Sequence, residues 1–170
     1  MNTKIKQLIH GAVIGALYVI LTFLQLLIFP ESTSGAIQFR ASEMLMIFAL
    51  FSPSAVFGLT IGCAIVNIFN GLPLDFLIGS FATLLAGLLI YWTRNIKIKD
   101  FPILAVLFPA LCNGILVGLE IQLFYIGDFT ILSFLIQFSL VFIGELAVML
   151  ILGTPFYYTI LKTNLHKKMK

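Results

Sequence analysis

The sequence predicts an all-α integral membrane protein of six transmembrane helices, and two observations carry the prediction. The first is composition. Of 170 residues, 61% are hydrophobic and only 10% are charged, with a mean hydropathy of +1.12, whereas an ordinary soluble domain is about 25% charged and about 45–50% apolar. The second is run length. Apolar stretches of about 20 residues, enough to cross a bilayer as a helix, recur between Pro, Gly and charge clusters. They lack the period-2 alternation of a membrane barrel. A water-soluble domain and a disordered chain are thereby excluded. The net charge of +3 does not indicate a nucleic-acid binder, because the few basic residues form short clusters instead of a continuous face.

The elements follow in order along a single domain covering residues 1–170. Span 1 covers about 8–29 and is closed by Pro30; the polar loop 31–36 (ESTSGA) follows. Span 2 covers about 37–51 and ends at Ser52-Pro53-Ser54. Span 3 covers about 55–69, and Asn70-Gly71-Leu72-Pro73 reads as a turn. Span 4, about 74–92, leads into the charged connector 94–100 (RNIKIKD). Span 5 covers about 101–123, before a turn at Ile126-Gly127-Asp128. Span 6 covers about 130–161, with a break expected at Pro155, and a basic tail closes the chain. Trp92, Tyr125, Tyr157 and Tyr158 fall at span edges, where interfacial aromatics belong.

Spans 2 and 3 are short, and charge parity argues that they cross together. With six crossings and both termini cytoplasmic, nine of the ten basic residues fall inside and Arg40 alone does not. The outer loops then hold Glu31, Asp75 and Asp128 and no Lys or Arg, as the positive-inside rule requires. No cleavable signal peptide is expected, because the first apolar run is long and no small-residue cleavage site follows it.

Several chemistries lack their residues. There is no GxxxxGK[ST] phosphate loop, HExxH or Asp-rich metal motif. Cys63 and Cys112 sit inside apolar runs with no CxxC or Cys/His spacing, and read as small buried residues. His10 and His166 lie near the ends of the first and last spans and read as interfacial. No catalytic, metal or cofactor set is expected. An intramembrane enzyme using Glu43, Glu120 and Glu145 would lack any histidine deep in a span. A self-contained carrier is disfavoured by small size and by the absence of a clear inverted repeat.

Charges inside a span cost about 2.5–3.5 kcal/mol each on insertion scales and so mark function. Arg40, Glu43, Glu120 and Glu145 lie within the runs, and Asp75 lies at the outer start of span 4. Arg40 and Glu43 are three apart, on one helical face; they either pair with each other alone or also line a polar cavity. Asn113 and Glu120 are two turns apart on span 5, and Gln137 and Glu145 form a similar stripe on span 6. With Gln38 and Asn67, these residues define a candidate ligand cavity fed by four spans, with Asp75 at its mouth. Phe39 and Phe76 are candidate stacking partners. On span 1, Gly11, Ala12, Gly15 and Ala16 form overlapping small-xxx-small pairs, suited to internal packing or to docking a separate membrane subunit.

The run AIQFRASEMLMIFALFSPSAVFGLTIGCAIVNIF, followed by LDFLIGSFATLLAG, PALCNGILVGLE and GELAVMLILGTPFY, resembles the QueT family over nearly the whole chain. The resemblance is strongest at 36–87, 109–120 and 144–157, and QFRxSE with the GCxIxN segment is its most specific part. These are substrate-binding S components of energy-coupling factor (ECF) transporters, associated with uptake of queuosine precursors. The resemblance implies a six-helix bundle in the bacterial cytoplasmic membrane that captures its substrate from outside. It also implies pairing with a transmembrane T component and two cytosolic ATPase subunits, with Ala12 and Ala16 on the docking face. A deazaguanine ligand offers a guanine-like edge with two N–H donors, a carbonyl and a cationic arm. Glu120 or Glu145 would accept the edge, Asn113, Asn67 and Gln137 would add amide contacts, and Glu43 or Asp75 would meet the ammonium. Arg40 would orient Glu43 or reach the carbonyl. An S component for riboflavin, folate or another vitamin is the alternative within that class.

Overall fold

A computed structural model describes residues 3–30, 39–69, 73–127 and 129–169. Helix α1 is Thr3–Ile28, and a 3-10 helix follows at Ala41–Leu50. Next come α2 (Pro53–Phe69), α3 (Pro73–Trp92) and α4 (Ile103–Glu120), the last continuing as a π-helical turn over Ile121–Ile126. Helix α5 (Ile131–Val148) passes through a second π-helical turn (Met149–Gly153) into α6 (Thr154–Lys162), and the short α7 (Leu165–Lys168) follows. Among the described residues the only strand-like pairing is an isolated bridge between Ile98 and Phe101.

The all-helical expectation holds, and four continuous helical runs are long and apolar enough to cross a membrane: Lys4–Ile28, Leu74–Trp92, Ile103–Ile126 and Ile131–Lys162. The segments expected as spans 2 and 3 are shorter. Ten residues of 3-10 helix rise about 20 Å at about 2.0 Å each, and 17 residues of α-helix rise about 26 Å at 1.5 Å each. The hydrocarbon core is about 30 Å thick. The 3-10 helix is thus shorter than the hydrocarbon core is thick, and it lies at the centre of the molecule. It contacts α1 through α6, and Ser42, Glu43 and Leu45–Leu50 are buried along it. A 3-10 run of this length is uncommon and marks strain or function. Here enclosure on every side holds it.

Other boundaries differ for local reasons. Helix α1 begins before the expected position 8, at Thr3, because Lys4 and Lys6 continue the helix beyond the apolar run. Span 5 continues past 123 to Ile126 and stops at Gly127, whose φ of +78° is a left-handed cap. The break expected at Pro155 is a change of hydrogen-bond register. Proline brings no N–H, and the π-helical turn just before it absorbs the mismatch, with the Thr154 hydroxyl donating to the Met149 carbonyl at 3.2 Å. The connector after α3 closes through a two-residue turn, Lys99 and Asp100 both having positive φ, flanked by reciprocal Ile98–Phe101 backbone bonds of 2.9 and 3.0 Å.

Helices α1 and α2 meet backbone to backbone. A Cβ on Gly15 would lie 2.6 Å from the Gly58 carbonyl oxygen, and one on Gly58 would lie 2.1 Å from that of Gly11. The two overlapping motifs on span 1 thus separate. Gly11 and Gly15 face inward onto α2, while Ala12 and Ala16 are exposed. Gly58→Ala is expected to lower the thermal unfolding midpoint of the purified protein, by an overpacking cost of about 1–3 kcal/mol. Ala12→Leu is expected to leave the midpoint nearly unchanged. Equal midpoints for the two variants would show that the helices do not touch through these glycines.

Candidate polar site

The site begins where the chain enters the 3-10 helix. Arg40 is its N-cap, in extended conformation with φ −110° and ψ 102°, so its side chain is aimed by a strand-like residue and not by a helix turn. Helix α1 fixes this entry from one side. Gln25 donates from Nε2 to the Phe39 carbonyl, and its Oε1 accepts from the Ala41 backbone N–H at 2.7 Å. One turn earlier, the Thr22 hydroxyl donates to the Ser42 hydroxyl at 2.7 Å.

Tyr18, fully buried on the same face of α1, then joins the two charges. Its hydroxyl donates to Glu43 Oε1 and accepts from Arg40 Nη1 at 3.3 Å. The mutual Arg40–Glu43 pair read from their spacing is replaced by this relay. Arg40 forms an ion pair instead with Asp75 of α3, Nη2 to Oδ2 at 4.0 Å. Its Nη1 also points at Cys63 Sγ, 3.7 Å away. Asn67 on α2 donates to Cys63 Sγ at 3.5 Å and to the Asp75 carbonyl at 2.9 Å. Gly79 permits this junction, because a Cβ there would sit 2.8 Å from Asp75 Oδ1 and 2.9 Å from Asn67 Nδ2. Four elements thus converge on one guanidinium.

The remaining carboxyls extend the cluster. Asp75 interacts electrostatically with Glu120 at the end of α4, and Glu43 and Arg40 interact with Glu145 of α5. All five ionisable side chains are buried, four carboxyls to a single cation. Burial of charge without a partner costs several kcal/mol, and the cluster is only half satisfied internally. Buried atoms without a hydrogen-bond partner include both oxygens of Glu120, Oε2 of Glu43 and of Glu145, Nε of Arg40, and Oδ1 of Asn67. They are mostly acceptors. The arrangement is suited to a ligand rich in N–H donors that carries positive charge.

Of the residues singled out from the sequence, Arg40, Glu43, Asn67, Asp75, Glu120 and Glu145 come together. Gln38 lies outside the described residues. Asn113 is buried on α4. Gln137 is half-buried on α5, in the stretch whose backbone packs against Gly118. Among the described residues no hydrogen bond joins either amide to the cluster. Sequence reasoning missed Tyr18, Thr22 and Gln25, although their spacing of four and three residues along span 1 is a polar stripe. It also took Cys63 as packing alone, whereas its sulfur accepts from Arg40 and Asn67. No group of three or more metal-ligating side chains occurs among the described residues.

On its outer surface the α1–α2 pair forms a groove of about 570 Å³, in which Ala12, Ala16, Val19, Phe57, Ile61 and Ile65 supply apolar wall. Gly11 and Gly15 form part of its lining.

Comparison with known proteins agrees with this site's location in a transport protein. A Lactococcus lactis subsp. cremoris (strain MG1363) protein described as "Queuosine precursor transporter QueT" is 37% identical over 83 residues. That stretch is 49% of this chain and 48% of the relative, so the match spans about half the relative's length. No solved structure matches. The family model described as "QueT transporter" matches residues 8–162, nearly the whole chain, and the chain belongs to that family of transporters, which are not enzymes.

Proposed function

We propose that this chain is the substrate-capturing membrane subunit of an ECF-type transporter, and that it imports a queuosine precursor of the 7-deazaguanine type. The observation that carries the reading is the set of unpartnered buried oxygens. Glu120 offers both oxygens to the paired N–H donors of a guanine-like edge. Glu43, held at Oε1 by Tyr18, offers Oε2 to the ammonium arm, and Arg40 Nε donates to the ring carbonyl. Glu145 Oε2 adds negative charge beside the arm. Family membership and the relative's printed description support the substrate class.

Energy would come from partners. The chain has no phosphate-binding loop of the GxxxxGK[ST] kind. The groove over Ala12 and Ala16 presents small residues on which a helix of the T component can pack closely, and the two ATPase subunits would act through that component. In this reading the helices cross the bacterial cytoplasmic membrane six times with both termini cytoplasmic. The basic clusters then lie inside, and the acidic cluster opens outward.

Two measurements test the reading. A ligand that binds only the folded state raises the unfolding midpoint. An aminomethyl-deazaguanine is expected to raise that of the purified chain, and riboflavin and folate are not. Glu120→Gln is expected to weaken the deazaguanine by about 10- to 100-fold, the worth of a hydrogen bond to a charged group, while Gln137→Leu leaves it within a few-fold. Stabilisation by a vitamin and not by the deazaguanine would transfer the protein to another S-component class. The second measurement is uptake in proteoliposomes. Accumulation is expected only with the T component and ATPases present, and Ala12→Leu/Ala16→Leu is expected to abolish it without loss of ligand binding. Uptake by this chain alone under an ion gradient would make it a self-contained carrier.

A further inference from the structure

The end of the bundle remote from the carboxyl cluster holds a second, chemically opposite site. Its pocket of about 300 Å³ is bounded by Arg94, Asn95, Lys97 and His166 over the rings of Phe51 and Tyr157. The floor is rigid. Phe51 stacks parallel to Tyr157 with centroids 6.4 Å apart and meets the His166 ring at 5.8 Å, and the Tyr157 hydroxyl is held on the Asp100 carbonyl at 3.3 Å. Arg94 is held in place as well. Its guanidinium lies 4.0 Å above the centre of the Tyr91 ring, and Nη1 donates to the Tyr91 carbonyl at 2.8 Å. That bond uses one of five donors. Lys97 is presented by the connector beside the two-residue turn at Lys99 and Asp100.

Charge at this end is one-sided. Among the described residues neither Arg94 nor Lys97 has a carboxylate ion-pair partner, and Asp100, the one acidic side chain here, does not line the pocket. The setting is a membrane boundary: Trp92 is 66% exposed and Tyr158 is 53% exposed, as interfacial aromatics are. A fork of arginine donors with a lysine, over an aromatic floor and beside exposed apolar helix, matches a phosphate group in charge and geometry. Basic pockets between membrane helices bind the headgroups of anionic lipids on the same principle.

We propose that this pocket binds a phosphate group, either that of an anionic glycerophospholipid headgroup or free inorganic phosphate. The proposal is independent of what the carboxyl cluster binds.

The test uses the full-length chain in neutral detergent and reads its unfolding midpoint. One arm adds dioleoylphosphatidylglycerol against dioleoylphosphatidylcholine; the other adds sodium phosphate against sodium chloride at equal ionic strength. Stabilisation by phosphatidylglycerol alone assigns the lipid, and stabilisation by inorganic phosphate assigns the free anion. Arg94→Gln/Lys97→Gln is expected to weaken the effective ligand about tenfold or more. Lys97→Gln alone, on an exposed connector, tests the same point with little risk to folding. Lys6→Gln/Lys162→Gln removes equal charge from exposed positions outside the pocket and is expected to leave the affinity unchanged. No stabilisation in either arm, or equal weakening by the pocket and control variants, would overturn the proposal; the latter would reduce the effect to general electrostatic attraction.

Discussion

The constraint on which the structure depends is a guanidinium buried in an apolar molecule. Arg40 keeps its charge, because a guanidinium is not deprotonated in proteins, so the fold must bring partners to it. It does so by making the segment after Arg40 the axis of the bundle. The 3-10 helix at Ala41–Leu50 is enclosed by α1 through α6, and its first residues receive a side chain from each direction. Tyr18 comes from α1, Cys63 from α2 and Asp75 from α3. A 3-10 helix suits this position because it rises further per residue than an α-helix. Ten residues then carry the chain from the polar cluster near Arg40 to the opposite end at Leu50.

The same constraint explains why the carboxyls differ in how far they are satisfied inside the fold. Asp75 is spent on Arg40, and Glu43 gives one oxygen to Tyr18. Glu120 and Glu145 are under no such obligation and retain unpartnered oxygens. A buried carboxyl with no partner is costly to keep, and a fold that keeps it does so for a purpose other than stability. Replacing Glu120 by an apolar residue would remove that cost, which separates its role from that of Asp75, whose loss would leave Arg40 with one partner fewer.

The sequence carried the class of the fold and most of the buried charged cluster because both rest on signals that survive without coordinates. Apolar run length marks helices, and charge inside a run marks the cluster, which is how Arg40, Glu43, Asp75, Glu120 and Glu145 were legible. The central helix was not. ASEMLMIFAL is as apolar as a span, and nothing in its composition distinguishes contact with lipid from contact with six other helices; only its length of ten residues carries the difference. Asn113 and Gln137 show what spacing alone leaves open. Seven or eight residues of separation place two side chains on roughly one stripe. Depth along the bundle decides which of them reaches the cluster. Tyr18 lies in the middle of the first apolar run, where an uncharged side chain carries no insertion cost to single it out, and its burial depends on the close approach that Gly15 and Gly62 permit.

That close approach gives α1 its place in the molecule. Gly11 and Gly15 sit directly on the α2 backbone, and Tyr18, Thr22 and Gln25 continue the inward face at helical spacing onto the entry of the 3-10 helix. Ala12 and Ala16, about 100° around the helix, form the outer groove. A partner helix seated on that groove therefore touches the element whose other side holds Glu43 and the Arg40 entry. The glycine contact between α1 and α2 has no long side chains to absorb a displacement, since backbone meets backbone. The two overlapping small-residue motifs, indistinguishable in the sequence, thus face different ways: the glycines set the distance between helices, and the alanines lie exposed along the outer groove.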